Sequence, residues 1–384
     1  MPFDPAAELA RLSGDGLLRT LRPLDSPAGP VVMRDGRSLH NFASNDYLGL
    51  ASDARLTAAF IEGIERYGGG SAASRLVCGT LPPHAALEEA LAAAKGTEAA
   101  LVFSSGFATA VGCLPAIVGS GDTAILDKLC HASLIDGAKL SGATLRVFPH
   151  NDLTKLERLL ATVRAKDADG RVLVVTESVF SMDGDLCPLR EIVELTERHG
   201  ALLWLDEAHA FGVLGPKGMG LAELLGLQER VAFQMGTFSK AAGLSGGYVA
   251  ASRAWIDLLV NRARAFVYST APPPSLAHAT IASLELIRSD EGMGRRKRLF
   301  ENIRLLSASA ESAIVPIILG SNDAALTAAK ALEDAGYLVP AIRYPTVPRG
   351  GARLRVSLSA GHDRQTVSGL AEVLAAGIHG SAIP

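Results

Sequence analysis

Lys240 and Asp206 are the side chains whose surroundings most clearly indicate chemistry. Lys240 lies in the run GTFSKAAG, among small and apolar residues, and so is not on a solvated helix face. Burial lowers a lysine pKa from about 10.4 towards roughly 7–8, and the neutral amine is a nucleophile for carbonyl groups. Asp206 ends the apolar run ALLWL, with His209 three residues later. A buried carboxylate is costly unless it is paired, so Asp206 requires a cationic partner.

Polar residues follow three further apolar runs. The run Ala99–Phe103 leads into SSGF and a helical pattern, which presents free backbone N–H groups and suits a phosphate. His131 follows Thr123–Leu126, and Ser181 follows Arg171–Thr176. Taken singly, each has an ordinary structural explanation: a strand–helix turn, a structural histidine and a tight turn.

The elements that must position these residues form an α/β pattern. Short apolar runs without alternation are separated by helical segments, which is typical of a parallel sheet covered on both faces. Ligands bind at the carboxyl edge of such sheets, where these polar residues lie. The runs are Ala99–Phe103, Thr123–Leu126, Arg171–Thr176, Ala201–Leu205, Val231–Met235 and Gly247–Ala251, and the helical segments Ala86–Ala94, Leu153–Lys166 and Leu189–His199.

The pattern changes at the triple proline Pro272–Pro274, which can continue neither a helix nor a central strand. We predict an N-terminal arm (1–48) with a helix over Pro5–Leu21 and a hairpin at Asp35–Gly36, a large domain (49–271) and a smaller α+β domain (272–384). In the smaller domain we predict a helical region from Ser275 to about Ala313, followed by strands over Ile314–Leu319, Leu338–Ile342 and Arg353–Leu358. We also predict a helix over Asp323–Ala335 and a final helix from about Arg364.

Composition argues against several classes of function. The net charge of −3 does not favour nucleic-acid binding, and RRKR (295–298) is predicted to be a solvated helix face. The uncharged stretch between Glu98 and Asp122 contains serine, glycine and proline, so a strand, a turn and a helix explain it better than a membrane span. The four cysteines show no metal or redox spacing, and no secretion signal is visible, so we expect reduced thiols, no metal site and a cytoplasmic protein.

Together, an anion site, a flat ring for stacking, a buried carboxylate and a lysine at successive strand ends meet the needs of pyridoxal phosphate. The chain also resembles the α-oxoamine synthases, fold-type I pyridoxal-phosphate enzymes that condense an amino acid with an acyl thioester. The matching segments, in the family's order, are SNDYLGL (44–50), YGGGSAASRLVCGT (67–80), SSGF (104–107), DKLCHASL (127–134), FSMDGD (180–185), LDEAHAFG (205–212), GTFSKAAG (236–243), YST (268–270) and PTVPRGGARLR (345–355).

The resemblance implies a mostly parallel seven-stranded sheet, a smaller C-terminal domain and a role for each matching residue. Lys240 would hold the cofactor and move the proton, Asp206 would pair with the pyridine nitrogen and His131 would stack on the ring. Arg355 would bind the substrate carboxylate, with Arg353 as the alternative. The remaining expected residues are His209 and Ser181 at the ring hydroxyl; Ser105, Gly106, Phe107 and Thr237 at the phosphate; Ser269 and Thr270 at the partner subunit's phosphate; and Arg19, Asn45, Arg343 and Thr346 on the acyl side.

The resemblance also implies the reaction class and a homodimer with sites at the interface. We expect L-alanine and a pimeloyl thioester, on coenzyme A or a carrier protein, as the small-molecule substrates, with no nucleic-acid or membrane partner. Other members of the family would use glycine with acetyl-CoA, glycine with succinyl-CoA, or serine with palmitoyl-CoA. An aminotransferase of the same fold would release no thiol.

Overall fold

Alternating strands and helices make up most of the computed structural model, which describes residues 3–167 and 169–376. The strands are β1 (Val31–Arg34), β2 (Arg37–Asn41), β3 (Ala99–Phe103), β4 (Thr123–Asp127), β5 (Thr144–Phe148), β6 (Val172–Glu177), β7 (Leu202–Asp206), β8 (Phe233–Thr237), β9 (Gly247–Ala251), β10 (Ile314–Gly320), β11 (Tyr337–Leu338), β12 (Ala341–Ile342) and β13 (Ala352–Ser357). The helices are α1 (Pro5–Gly14), α2 (Ala54–Tyr67), α3 (Pro82–Lys95), α4 (Gly106–Ile117), α5 (Ala132–Leu140), α6 (Leu153–Lys166), α7 (Leu189–Arg198), α8 (Leu221–Leu225), α9 (Arg253–Arg262), α10 (Arg264–Val267), α11 (Pro274–Arg288), α12 (Asp290–Leu306), α13 (Asn322–Asp334) and α14 (Arg364–Ala375).

Seven strands form the central sheet, in the order β3-β9-β8-β7-β6-β4-β5. Strand β9 pairs antiparallel with both neighbours, and the other pairs are parallel. This confirms the predicted mostly parallel seven-stranded α/β sheet. Edge strand β5 was not predicted, because only Phe148 of its five residues is buried and the run therefore lacks a continuous apolar signal.

Both faces of the central sheet are covered, which explains the uninterrupted apolar runs. Along β6, Val174 packs into one core cluster and Val175 into the other, on the opposite face. Each fully buried valine or leucine contributes about 1.5–3 kcal/mol relative to an exposed one. The stretch between Glu98 and Asp122 forms β3, a short turn and α4, as predicted. In the part of the chain that the structure describes, no helix is both long and apolar enough to cross a bilayer.

The C-terminal part contains two small sheets, one of which includes the N-terminal hairpin. Strands β10, β13 and β12 pair antiparallel, while β1 and β2 pair with each other and β2 pairs parallel with β11. Asp35 and Gly36 have φ values of 52° and 70°, as a two-residue hairpin turn requires, so the predicted hairpin is confirmed.

The division into arm, large domain and small domain stays a prediction, and its outermost residues 1–2 and 377–384 lie outside the described residues. Helix α11 begins just after the proposed seam and packs closely on α2. A Cβ atom on Gly63 would lie 2.8 Å from Cα of Ser275, so these two helices approach to near backbone contact. The triple proline therefore leads into a helix that lies against α2.

Four local predictions were wrong. The first helix ends at Gly14 rather than Leu21, before the flexible Gly16. The region 275–313 is divided at Ser289, whose hydroxyl accepts from the backbone N–H of Gly292 and caps α12. Residues 338–342 contribute to two short strands in different sheets. RRKR is only partly solvated, because Arg296 is buried and bonds to two backbone carbonyl oxygens.

His150 ties the loop after β6 to the sheet edge. Its Nδ1 lies 3.1 Å from Oδ1 of buried Asp127 at the end of β4, and its Nε2 lies 2.7 Å from Oδ2 of Asp185. Burial opposes protonation of the ring, but hydrogen bonds to the two carboxylates prevail and raise the pKa of His150 to about 10. The imidazolium therefore fixes the segment that carries Ser181.

Replacing His150 with glutamine is expected to lower the free energy of unfolding by about 2 kcal/mol near pH 6.5. The folded-state pKa lies above the ordinary value of 6.5, so the contribution is complete below pH 6.5 and is lost as the pH rises through about 10. Urea unfolding at pH 6.5 and pH 10 should show the gap between wild type and variant closing. The difference in unfolding free energy between wild type and His150→Gln should not be the same at both pH values. His199→Gln is the control, and an equally large, pH-dependent loss in that variant would contradict the ion-pair account.

Candidate active site

A cavity of about 280 Å³ lies at the carboxyl edge of the central sheet. It is positioned by the ends of β6, β7 and β8 and the first turns of α4 and α5. Its lining residues are Ser105, Gly106, Phe107, His131, Ser133, Glu177, Asp206, Ala208, His209, Met235, Thr237, Ser239 and Lys240. The structure thus brings together eight of the residues singled out from the sequence: Ser105, Gly106, Phe107, His131, Asp206, His209, Thr237 and Lys240.

Lys240 is partly buried and contacts His209. Lys240 lies in the bend that follows β8. Its Nζ is 2.9 Å from Nε2 of His209. Burial lowers the pKa of Lys240 to about 8, although Asp206 and Glu177 oppose that change. Burial, with the positive charge of Lys240 as a second cause, also puts the pKa of His209 well below its ordinary value. Near pH 8 a large fraction of the lysine is therefore neutral amine beside a neutral imidazole.

Two carboxylates lie side by side at the floor of the cavity. Glu177 and Asp206 are register partners at the ends of the parallel strands β6 and β7, and both are buried. Oδ1 of Asp206 accepts from the backbone N–H of Ala208 at 2.8 Å, and Oε1 of Glu177 accepts from that of His131. Burial raises both pKa values, while the charge of Lys240 lowers them. Two neighbouring buried acids favour a shared proton over two full charges.

Replacing Glu177 with glutamine is expected to stabilise the chain progressively as the pH rises. The folded-state pKa of Glu177 is well above 4.5, so burying its carboxylate destabilises the fold increasingly above pH 4.5. The amide avoids that cost and keeps an oxygen for the His131 N–H. Urea unfolding at pH 5 and pH 8 should show a larger advantage for the variant at pH 8. Exposed Glu229→Gln is the matched control and should show no such trend; an advantage for Glu177→Gln that is absent or falls with pH would refute the assignment.

His131 is held as a flat, neutral ring at the start of α5. Its Nδ1 lies 2.8 Å from Oγ of Ser133 and also accepts from the Ser133 backbone N–H. Burial lowers the pKa of His131, and Lys240 lowers it further against the opposing effect of Asp206. A neutral imidazole at the cavity wall is suited to stacking on a flat heterocycle.

The start of α4 forms an anion cradle. Oγ of Ser105 caps the helix by accepting from the Ala108 N–H at 3.0 Å, so the N–H groups of Gly106 and Phe107 have no acceptor among the described residues. Thr237 lies beside them: a Cβ atom on Gly106 would be 3.4 Å from Cβ of Thr237. Free N–H groups at a helix start beside a hydroxyl are suited to a phosphate.

Arg353 and Arg355 differ in their charged partners. Nη1 of Arg353 pairs with Oδ1 of Asp183 at 2.6 Å, so its charge is already neutralised. Arg355 is buried and has no carboxylate partner within residues 3–167 and 169–376. Its Nε donates to the backbone oxygen of Ser181 at 2.6 Å, and its Nη1 donates to Oδ1 of Asn45 at 3.1 Å. Arg355 therefore lacks the counterion that a substrate carboxylate would supply.

Several sequence-predicted residues lie outside the cavity lining. Arg355, Ser181 and Asn45 are not among the lining residues. Ser181 and Asn45 both accept from Arg355, and Asn45 is linked to the lining residue His209 through the hydroxyl of Tyr47. Arg19 donates to Oγ1 of Thr346 at 3.2 Å and Arg343 donates to the backbone oxygen of Gly16 at 2.6 Å, so these form a separate outer group. Thr270 bridges to Ser74, and neither it nor Ser269 lines the cavity of its own chain.

The residues present fit pyridoxal phosphate. The cavity holds an amine of lowered pKa, a buried acid, a flat neutral ring and a cradle of unpaired N–H groups. These are the four groups that the sequence analysis required for this cofactor.

Sequence reasoning assigned no role to five lining residues and to one residue behind them. The lining residues are Ser133, Glu177, Ala208, Met235 and Ser239. Glu177 carries the same signal as Asp206, an acid at the end of an apolar run, and could have been found by the same rule. Tyr47 stands in the quoted motif SNDYLGL, but only the tertiary structure places its hydroxyl 2.6 Å from Nδ1 of His209.

Comparison with known proteins places the chain in a family. The family model described as aminotransferase class I and II matches residues 37–374. The chain belongs to this family. The predicted resemblance to α-oxoamine synthases is confirmed by relatives and structures.

The similar curated proteins are 8-amino-7-oxononanoate synthases. The chain is 50% identical to that of Anaeromyxobacter dehalogenans over 96% of this chain and 94% of the relative. It is 48% identical to that of Geobacter sulfurreducens over 93% of each. Because the matched region is nearly the whole length, the similarity to these relatives includes both the central sheet and the C-terminal part.

Similar solved structures include two members of the α-oxoamine synthases. A serine palmitoyltransferase from S. paucimobilis, solved with pyridoxal phosphate and myriocin, superposes with a TM-score of 0.90 at 30% identity over 97% of each chain. The 8-amino-7-oxononanoate synthase of Francisella tularensis has a TM-score of 0.74 at 28% identity, covering 88% of this chain and 97% of that one. The fold-type I architecture is therefore shared with enzymes of two acyl specificities, which means that the fold does not decide the substrate.

Proposed function

We propose that the chain is an acyltransferase that uses pyridoxal phosphate to condense L-alanine with a pimeloyl thioester. The products are 8-amino-7-oxononanoate, CO₂ and the free thiol of coenzyme A or a carrier protein, a step of biotin biosynthesis. The observation that carries the proposal is that Lys240 and Asp206 share one cavity with the anion cradle at the start of α4. The relatives named 8-amino-7-oxononanoate synthase support this choice of substrates.

Bound pyridoxal phosphate would supply an electron-withdrawing ring that stabilises negative charge on the α-carbon of the amino acid. Asp206 would hold a proton on the ring nitrogen, which strengthens that withdrawal. His131 would support the face of the ring, and the N–H groups of Gly106 and Phe107, with Thr237, would bind the phosphate. Ser105 keeps those N–H groups oriented by capping the helix.

The proton steps belong to Lys240. Its pKa of about 8 leaves a neutral amine available to take the α-proton of alanine at Nζ and later to return one to the product. Arg355 would bind the carboxylate of alanine, and its bonds to Ser181 and Asn45 fix the guanidinium for that contact. Holding alanine and the thioester in one site supplies the proximity that the carbon–carbon bond requires. Arg19, Arg343 and Thr346 would line the approach of the acyl chain.

We also propose a homodimer in which Ser269 and Thr270 reach the phosphate in the partner subunit. Support comes from the exposed apolar side chains Leu76, Val77 and Tyr268, which the Ser74–Thr270 bridge brings near one another. Light scattering should give twice the chain mass of 40.0 kDa. The cytoplasmic location remains a prediction.

Thiol release tests the substrates. Purified chain loaded with pyridoxal phosphate is mixed with alanine, glycine or serine and with pimeloyl-, acetyl-, succinyl- or palmitoyl-CoA, and free thiol is measured. We expect the highest kcat/KM for alanine with pimeloyl-CoA. A higher value for glycine or serine would assign another α-oxoamine synthase reaction, and amino transfer to a keto acid without thiol release would assign an aminotransferase.

A further inference from the structure

A row of hydrogen bonds joins Lys240 to Arg355 through the back of the cavity. Nζ of Lys240 lies 2.9 Å from Nε2 of His209, whose Nδ1 lies 2.6 Å from the hydroxyl of Tyr47. That hydroxyl lies 3.1 Å from Oδ1 of Asn45, which lies 3.1 Å from Nη1 of Arg355. Tyr47 is fully buried, so water cannot replace its partners.

The Arg355 end of this row favours one direction for each bond in it. An arginine can only donate, so the Asn45 atom facing Arg355 is its acceptor oxygen. The Tyr47 hydroxyl has one hydrogen and two neighbours that could accept it, this oxygen at 3.1 Å and Nδ1 of His209 at 2.6 Å. Donation to Asn45 makes both contacts hydrogen bonds, whereas donation to Nδ1 would leave two acceptor oxygens facing each other with no hydrogen between them. In the arrangement that satisfies both contacts, Nδ1 of His209 donates. Since a neutral imidazole carries one N–H, Nε2 faces Lys240 as an acceptor.

We propose that Tyr47 is a positioning residue that fixes the single proton of His209 on Nδ1 and so leaves Nε2 as a hydrogen-bond acceptor facing Lys240. The lysine donates to that lone pair whether it is an amine or an ammonium. The placement of the proton follows from the contacts alone, while its catalytic importance rests on the proposed function.

The orientation also restricts how His209 can bind the cofactor. With Nε2 as acceptor, His209 would accept a hydrogen bond from the ring hydroxyl rather than donate one. It would thereby favour the protonated hydroxyl, a preference that Tyr47 sets from behind without touching the ring.

The test is the tautomer of His209 in the full chain. The chain is labelled with ¹⁵N-histidine, and the His209 signals are identified among those of the nine histidines by their loss in His209→Gln. Long-range ¹H–¹⁵N correlation spectra at pH 8, before and after addition of pyridoxal phosphate, distinguish a proton on Nδ1 from one on Nε2. Wild type should show Nδ1–H in both. Tyr47→Phe should lose Nδ1–H as the dominant form, because the acceptor is gone.

Tyr248→Phe is the matched control. Tyr248 is also fully buried in the same core, but its hydroxyl has no hydrogen-bond partner among the residues that the structure describes. The His209 tautomer should not change in this variant. A proton on Nε2 in wild type, an unchanged tautomer in Tyr47→Phe, or the same change in Tyr248→Phe would overturn the proposal. The wild-type spectrum decides even if Tyr47→Phe is too unstable to label, and no outcome depends on thiol release.

Discussion

Replacing Lys240 with alanine is expected to lower turnover by on the order of 10⁴-fold or more, because the variant loses both the covalent attachment and the base. Among the described residues the Lys240 side chain has a polar contact with Nε2 of His209, and its burial lowers its own pKa to about 8. The melting temperature should therefore be unchanged or higher.

Borohydride reduction followed by peptide mass spectrometry measures the attachment directly. In wild type, the mass of reduced pyridoxal phosphate should appear on the peptide that contains Lys240. The variant should bind the cofactor reversibly and carry no label. Exposed Lys217→Ala is the matched control and should label as wild type does. A variant that still labels, or that keeps its turnover, would show that another residue holds the cofactor.

Replacing Asp206 with asparagine is expected to reduce kcat by about 10²–10³-fold while the cofactor stays bound. The amide oxygen can still accept from the Ala208 N–H, so the local backbone is retained. What is lost is the negative charge that would keep a proton on the ring nitrogen. Thiol release and cofactor content, measured on the same sample, separate these two effects.

The neighbouring acid provides the control for this experiment. Glu177 is the register partner of Asp206, equally buried and in the same cavity, so Glu177→Gln removes a similar charge at a similar depth. Turnover should fall less in Glu177→Gln than in Asp206→Asn. A larger fall in Glu177→Gln than in Asp206→Asn would indicate that Glu177 pairs with the ring nitrogen. Normal turnover in Asp206→Asn would disprove the role of the Asp206 charge.

The core of the site could be predicted from sequence because of how parallel sheets are built. Lys240, Asp206 and His131 each follow a different apolar run, and parallel strands bring their carboxyl ends to one edge. Their meeting in one cavity follows from topology alone, without knowledge of individual contacts. The sheet itself was predictable for the same reason, since its central strands are buried on both faces.

What escaped prediction depends on contacts between distant segments. The pairing of Arg353 with Asp183, which leaves Arg355 available, joins residues that are 170 positions apart. The contact of Tyr47 with His209 spans 162 positions and leaves no local pattern. The break at Ser289, by contrast, was visible as a serine followed by two acidic residues, which is typical of a helix start.

The small sheet β1-β2-β11 has a consequence for how the chain is made. His40 of β2 pairs with Tyr337 of β11, about 300 positions later, so this sheet closes only after the residues between them have been synthesised. Until then the hairpin offers the ribosome-bound chain an unpaired edge. We therefore expect nascent β2 to be shielded during synthesis, by a chaperone or by rapid folding of the residues between.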